Sequence, residues 1–228
     1  MNAGSAKIGF FMSIVSLVSF IIYILCFVAI LLVCEPFVWT NINGLSFHEA
    51  NNPVIYKYLG MVCMIIFSCV FVVMVACMFP AKKESKSCVF FVALSFSVAF
   101  CICISINYFV QISATRLQLL TGFTAGLEQF TQSFSISAIN AINMLGWTLF
   151  YSIATFALSF LFDATSLGRK AKFFCLANSA MMLLGMVGYI INSYPILLVT
   201  MNMGLGVTSM GVIVTMGLFF RKTVYLKE

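Results

Sequence analysis

The chain has 228 residues, 63% of them hydrophobic and 8% charged, with a formal net charge of +6; its mean hydropathy is +1.12. A soluble domain is about half apolar and about a quarter charged, and a chain of this size has too little interior to hide so much apolar surface from water. These figures exclude a soluble globular protein, a disordered chain and a coiled coil, and leave an integral membrane protein.

Six apolar stretches meet or approach the roughly 20 residues that a helix needs to cross a hydrocarbon core. They run over 8–34, 55–79, 88–112, 137–162, 173–193 and 196–220. They predict an all-α fold, a polytopic membrane bundle of six transmembrane helices that forms a single domain over 1–228. All six are too long and too apolar for the ~10-residue strands of a barrel. The first is longer than a straight crossing requires, which predicts tilt or projection into the interface. It also exceeds the apolar region of a signal peptide and lacks a small-x-small cleavage site, so it reads as a retained helix.

The connection after the first span, 35–54, reads EPFVWTNINGLSFHEANNPV. The connection after the third, 113–136, reads SATRLQLLTGFTAGLEQFTQSFSI. Such lengths are associated with lids and binding segments. Phe37, Val38, Trp39, Leu117, Leu120, Phe123, Leu127 and Phe130 predict segments that lie on the membrane surface or fold over the bundle. Gly122 and Gly126 are expected to break the second loop into short pieces. Its only charges are Arg116 and Glu128. They are expected to pair and pin the loop; the alternative is that Arg116 meets an anionic ligand. The fifth and sixth spans are parted by Ser193, Tyr194 and Pro195, which predicts a tight reversal.

The charges alternate along the chain. Lys7, the group Lys82, Lys83 and Lys86, the group Arg169, Lys170 and Lys172, and the group Arg221, Lys222 and Lys227 fall on one side, against Lys57 and Arg116 on the other. The positive-inside bias then places both termini in the cytoplasm, in agreement with the even span number. The basic clusters are expected against anionic headgroups. Because they are split among four short segments, nucleic acid is not an expected partner. The nine cysteines fall mainly within spans. They read as small buried hydrophobes without a structural disulfide.

Several chemistries lack their residues. His48 is the only histidine, which excludes two- and three-histidine metal sites, and no phosphate-binding glycine motif or GxSxG is present. No cofactor and no metal are expected. Of the six acidic residues, Glu35, Glu49, Glu84, Glu128, Asp163 and Glu228, none sits mid-span, unlike the intramembrane carboxylates of ion-coupled transporters.

Polar residues inside the spans form stripes at helical spacing. Asn107 and Gln111, continued by Gln118, share a face of the third helix. Asn140, Asn143, Trp147 and Tyr151 mark the fourth, Asn178, Gly185, Tyr189 and Asn192 the fifth, and Asn202, Gly206 and Ser209 the sixth. An amide facing lipid is costly, so these stripes define inward faces. They read either as interhelical hydrogen bonding or as the wall of an outward-facing polar cavity. The candidate cavity residues are Asn107, Gln111, Arg116, Glu128, Asn140, Asn143, Trp147, Tyr151, Asn192 and Asn202.

The stretches FVWTNI (37–42), INYFVQISATRL (106–117), GLEQF (126–130) and INMLGWTLF (142–150) resemble those of bacterial integral membrane proteins of the domain-of-unknown-function type. The resemblance implies a six-span protein of a bacterial inner membrane, and carries no activity, cofactor or catalytic residue.

The expected function is non-enzymatic: binding or transport of a lipid or small amphiphile through the outer cavity, with membrane lipids as partners. Two other classes stand beside it. One is an enzyme acting on a lipid or isoprenoid at the outer interface, with His48, Glu49, Glu128 and Glu35 as acid–base groups. The other is a structural or regulatory subunit of a membrane complex. A closed bundle favours the subunit, a cavity of amides and aromatics the binder, and His48 converging with a carboxylate the enzyme.

Overall fold

The computed structural model describes residues 3–79 and 86–225. Lys82, Lys83, Glu84, Lys227 and Glu228, which entered the charge reading, lie outside the described residues. Six helices are long and apolar enough to cross a membrane: α1 (Ala3–Val33), α3 (Ile55–Cys77), α4 (Ser87–Thr121), α5 (Ala138–Ser159), α6 (Ser166–Ile190) and α7 (Tyr194–Val224). A shorter helix, α2 (Ile42–Asn51), lies in the first long connection. The protein is a multi-pass membrane helix bundle.

Helix boundaries follow caps more closely than apolar run length. α6 begins seven residues before the apolar stretch that predicted it, because Thr165 caps it by accepting from the Gly168 N–H. Arg169, Lys170 and Lys172 therefore ride on its first turns. α4 runs nine residues beyond its predicted end, to Thr121. It stops where Gly122 turns left-handed at φ 73°, a conformation that suits glycine. Gly126, at φ 74°, makes the second break.

The ends of α1 and α7 meet antiparallel. A Cβ on Gly9 would come within 2.7 Å of the Phe220 ring, and one on Gly217 within 2.6 Å of the Ser13 hydroxyl. Small residues thus let these backbones approach, as in other lipid-embedded interfaces. The start of α1 and the end of α7 consequently lie at one end of the bundle, the terminal face, and the two long connections lie at the other, the loop face.

Phe67, Phe71, Phe100, Trp147 and Tyr151 form an aromatic core shared by α3, α4 and α5, with Phe100 and Tyr151 stacked at 4.7 Å. Beside it lies a buried polar knot. Asn178 donates to Thr208 at 2.9 Å and to Ser209 at 3.1 Å, and accepts from Thr155 at 3.2 Å. The Tyr151 hydroxyl donates to Ser209 at 3.2 Å, and the Ser152 and Ser179 hydroxyls meet at 3.2 Å. Such contacts average about 0.6 kcal/mol each between membrane helices.

Three of the spanning helices contain a π turn: Gln111–Thr115 in α4, Leu145–Phe150 in α5 and Leu198–Gly204 in α7. Each turn inserts a residue into the helical register, and π turns are frequent at functional sites.

Candidate functional site

The two long connections close over the loop face and pack on each other. Ile42, Leu45 and Leu127 are buried together, flanked by Phe37, Trp39 and Leu119. Trp39 stacks on Phe134 at 4.7 Å. Asn41 starts α2 by accepting from the Gly44 N–H at 2.9 Å. The end of the connection is tied back to its beginning: the Glu35 N–H donates to Asn52 at 2.9 Å, and His48 Nε2 lies 2.9 Å from the Glu35 carbonyl.

The amides of α4 hold the second connection by its backbone. The Gln111 side chain donates to the Phe130 carbonyl at 2.7 Å and accepts from the Gln132 N–H at 3.0 Å. Thr115 donates to the same carbonyl at 3.0 Å, and Asn107 donates to the Gln132 side chain at 3.0 Å. A non-helical segment near lipid needs its polar groups satisfied by protein, and this stripe supplies them. From the other side, Asn140 and Tyr189 both donate to the Ser135 carbonyl, at 2.8 and 3.0 Å. Asn107 and Gln111 are thus clamps on a cap.

The expected Arg116–Glu128 latch is absent. Arg116 is exposed, and its Nε donates to the Ile112 carbonyl one turn back at 3.1 Å. The reason is that Arg116 lies within a continuing helix and bonds that helix's own backbone, whereas Glu128 sits past two glycine breaks on a 3₁₀ turn. Among the described residues, the ion pair at this face is Lys57–Glu49, at 2.5 Å. Tyr58 donates to the other Glu49 oxygen at 2.9 Å. This pair ties α2 to α3.

The remaining candidates divide in two. Asn143, Trp147 and Tyr151 are buried, the last two in the aromatic core. Asn140, Asn192 and Asn202 line one cavity of about 530 Å³ near the loop face, with Ser135, Tyr189 and Tyr194 among its other walls. Asn192 and Asn202 are exposed to it. Asn202 does not share the buried Ser209 face, because the π turn inserts a residue there and rotates the helix by about 100°. This cavity shares Met201 and Asn202 with a second, of about 520 Å³, that runs between α1 and α7 past Phe20, Ile24, Phe27, Val207 and Met210. Phe27, Met203 and Val207 stand exposed along that groove on the flank of the bundle.

A separate cavity of about 250 Å³ brings together Cys34, Glu35, His48, Glu49 and Lys57 among apolar walls that include Ile30, Leu31 and Leu45. Its Glu49 carboxylate is engaged by Lys57 and Tyr58, and its His48 Nε2 by the Glu35 carbonyl. Among the described residues, no three His, Cys, Asp or Glu side chains converge as a metal-ligand set.

Comparison of the sequence with family models and with curated proteins, and of the fold with solved structures, finds no match. Sequence reasoning did not anticipate the π turns or the helix within 35–54. Asn41, a residue type that favours the N-cap, was the available signal for that helix.

Proposed function

We propose that the protein binds a membrane amphiphile at its loop face, the head in the amide-lined cavity and the chain in the groove between α1 and α7. The observation that carries this reading is that the two cavities share Met201 and Asn202, so a polar pocket opens into an apolar groove on the lipid-facing flank. The head site presents Asn140, Asn192, Asn202 and two tyrosines, with no charged lining residue. That chemistry suits a neutral or zwitterionic head with hydroxyl or amide groups. In this reading the loop face is the outer side of a cell membrane, bacterial by the resemblance, with the basic clusters inside.

Native mass spectrometry of the purified full chain tests the proposal. Retention of a lipid is expected. Asn202→Ala should weaken retention about fivefold, the equivalent of one hydrogen bond, and Val207→Trp should abolish it by filling the groove. No retained lipid, or retention indifferent to both substitutions, overturns the reading.

The cavity with Glu35, His48 and Glu49 supports a second reading, acid–base chemistry on a lipid at the interface. The engagement of Glu49 by Lys57 and of His48 by a carbonyl weighs against it. Release of fatty acid from vesicles by the protein but not by His48→Asn would favour it, and no turnover ends it.

A further inference from the structure

Two thiols meet on the flank of the bundle, away from the amphiphile site. The Cys101 and Cys69 sulfurs lie 3.6 Å apart across α3 and α4, and the Ser105 hydroxyl lies 3.9 Å from Cys101. The contact belongs to a regular antiparallel ladder that also pairs Phe71 with Phe100 and Phe79 with Phe90. Cys69 is exposed and Cys101 half-exposed, between Ile66 and Val73 on α3 and Val98 and Ile102 on α4, all exposed. Cys69 lies fourteen residues after Ile55 and eight before Cys77, the two ends of α3, which is about 21 and 12 Å of rise in a hydrocarbon core about 30 Å thick. The sulfurs therefore face the lipid near mid-membrane. A disulfide requires about 2.05 Å between sulfurs, so bond formation here needs the two side chains to turn toward each other. All nine cysteines are free thiols.

We propose that Cys69 and Cys101 form a redox-active dithiol whose electron acceptor is a lipid-soluble quinone. Position selects the acceptor class: water-soluble disulfides do not partition to this depth, whereas a quinone reaches the exposed Cys69 sulfur from the lipid. In the first step the Cys69 sulfur adds to a quinone ring carbon, forming an S–C bond, and its proton passes to a quinone oxygen. In the second, the Cys101 sulfur attacks Cys69 and the S–S bond forms as the S–C electron pair returns to the ring; the Cys101 proton passes to the other quinone oxygen, and the ring leaves as hydroquinone. The product cross-links α3 to α4.

The test uses the full chain in liposomes with decylubiquinone, followed by alkylation of the remaining thiols and peptide mass spectrometry. A Cys69–Cys101 disulfide reversible by dithiothreitol is expected, with the buried Cys26 and Cys63 still alkylated. Cys101→Ser should accumulate the quinone adduct on Cys69, and Cys69→Ser should yield neither adduct nor disulfide. Oxidised glutathione in place of the quinone should give at least tenfold less cross-link. Both thiols remaining alkylatable after quinone exposure would overturn the proposal. An equal yield with oxidised glutathione, or no adduct on Cys69 in a folded Cys101→Ser variant, would overturn it as well.

Discussion

The polar knot around Asn178 and the cap around Gln111 use the same residue types to opposite ends. In the knot, both polar atoms of Asn178 are bonded, to three hydroxyls contributed by α5 and α7. In the cap, Gln111 and Asn107 bond to a loop, and the Asn107 Oδ1 and Thr131 Oγ1 atoms are buried without a hydrogen-bond partner among the described residues. An unpartnered buried polar atom costs about 1–3 kcal/mol. The knot therefore ties three helices to one another, whereas the cap ties a helix to a non-helical segment. Sub-global opening favours segments with few buried interhelical bonds, so the loop face is expected to open before the knot.

The largest expected effect comes from the knot. Asn178→Ala removes three interhelical hydrogen bonds at once and should lower stability by about 2 kcal/mol, read as a shifted unfolding midpoint in detergent. Gln111→Ala is expected to cost about 1 kcal/mol globally. It should also raise amide exchange over 129–137 while leaving 150–156 unchanged, and uniform exchange across both segments would erase the distinction between the regions. Glu49→Gln should loosen α2 from α3 and cost less than about 1 kcal/mol, since the Lys57–Glu49 pair is partly solvated, with side chains 23% and 11% exposed. The smallest effect is expected for Glu128→Gln: no change in exchange over 113–136, because no ion pair holds that residue.

The bundle and the number of its spans were legible because apolar length is a local property. The fate of each amide was not, because it depends on the partner that the fold supplies. Asn178 finds hydroxyls on α7, whereas Gln111 on an equally regular stripe finds a carbonyl 19 residues away. The Arg116–Glu128 expectation failed for a similar reason. It treated 113–121 as loop, whereas the helix continues and carries Arg116 away from Glu128. Asn202 escaped the periodicity argument because constant 100° spacing does not survive a π turn. The Cys69–Cys101 meeting was invisible for want of the α3–α4 register, which only packing provides.

The three π turns make a further expectation about how this chain tolerates change. A single-residue deletion in an ordinary membrane helix twists everything beyond it onto the wrong face, and is purged. Within 111–115, 145–150 or 198–204 the same deletion removes a surplus residue and restores an unbroken α-helix, so these stretches are where the evolutionary record of the chain should hold one-residue gaps inside its helices. In a chain lacking the surplus at 198–204, the segment before it would turn by about 100° relative to the rest of α7, carrying position 202 away from the groove and leaving the Asn178 knot in place.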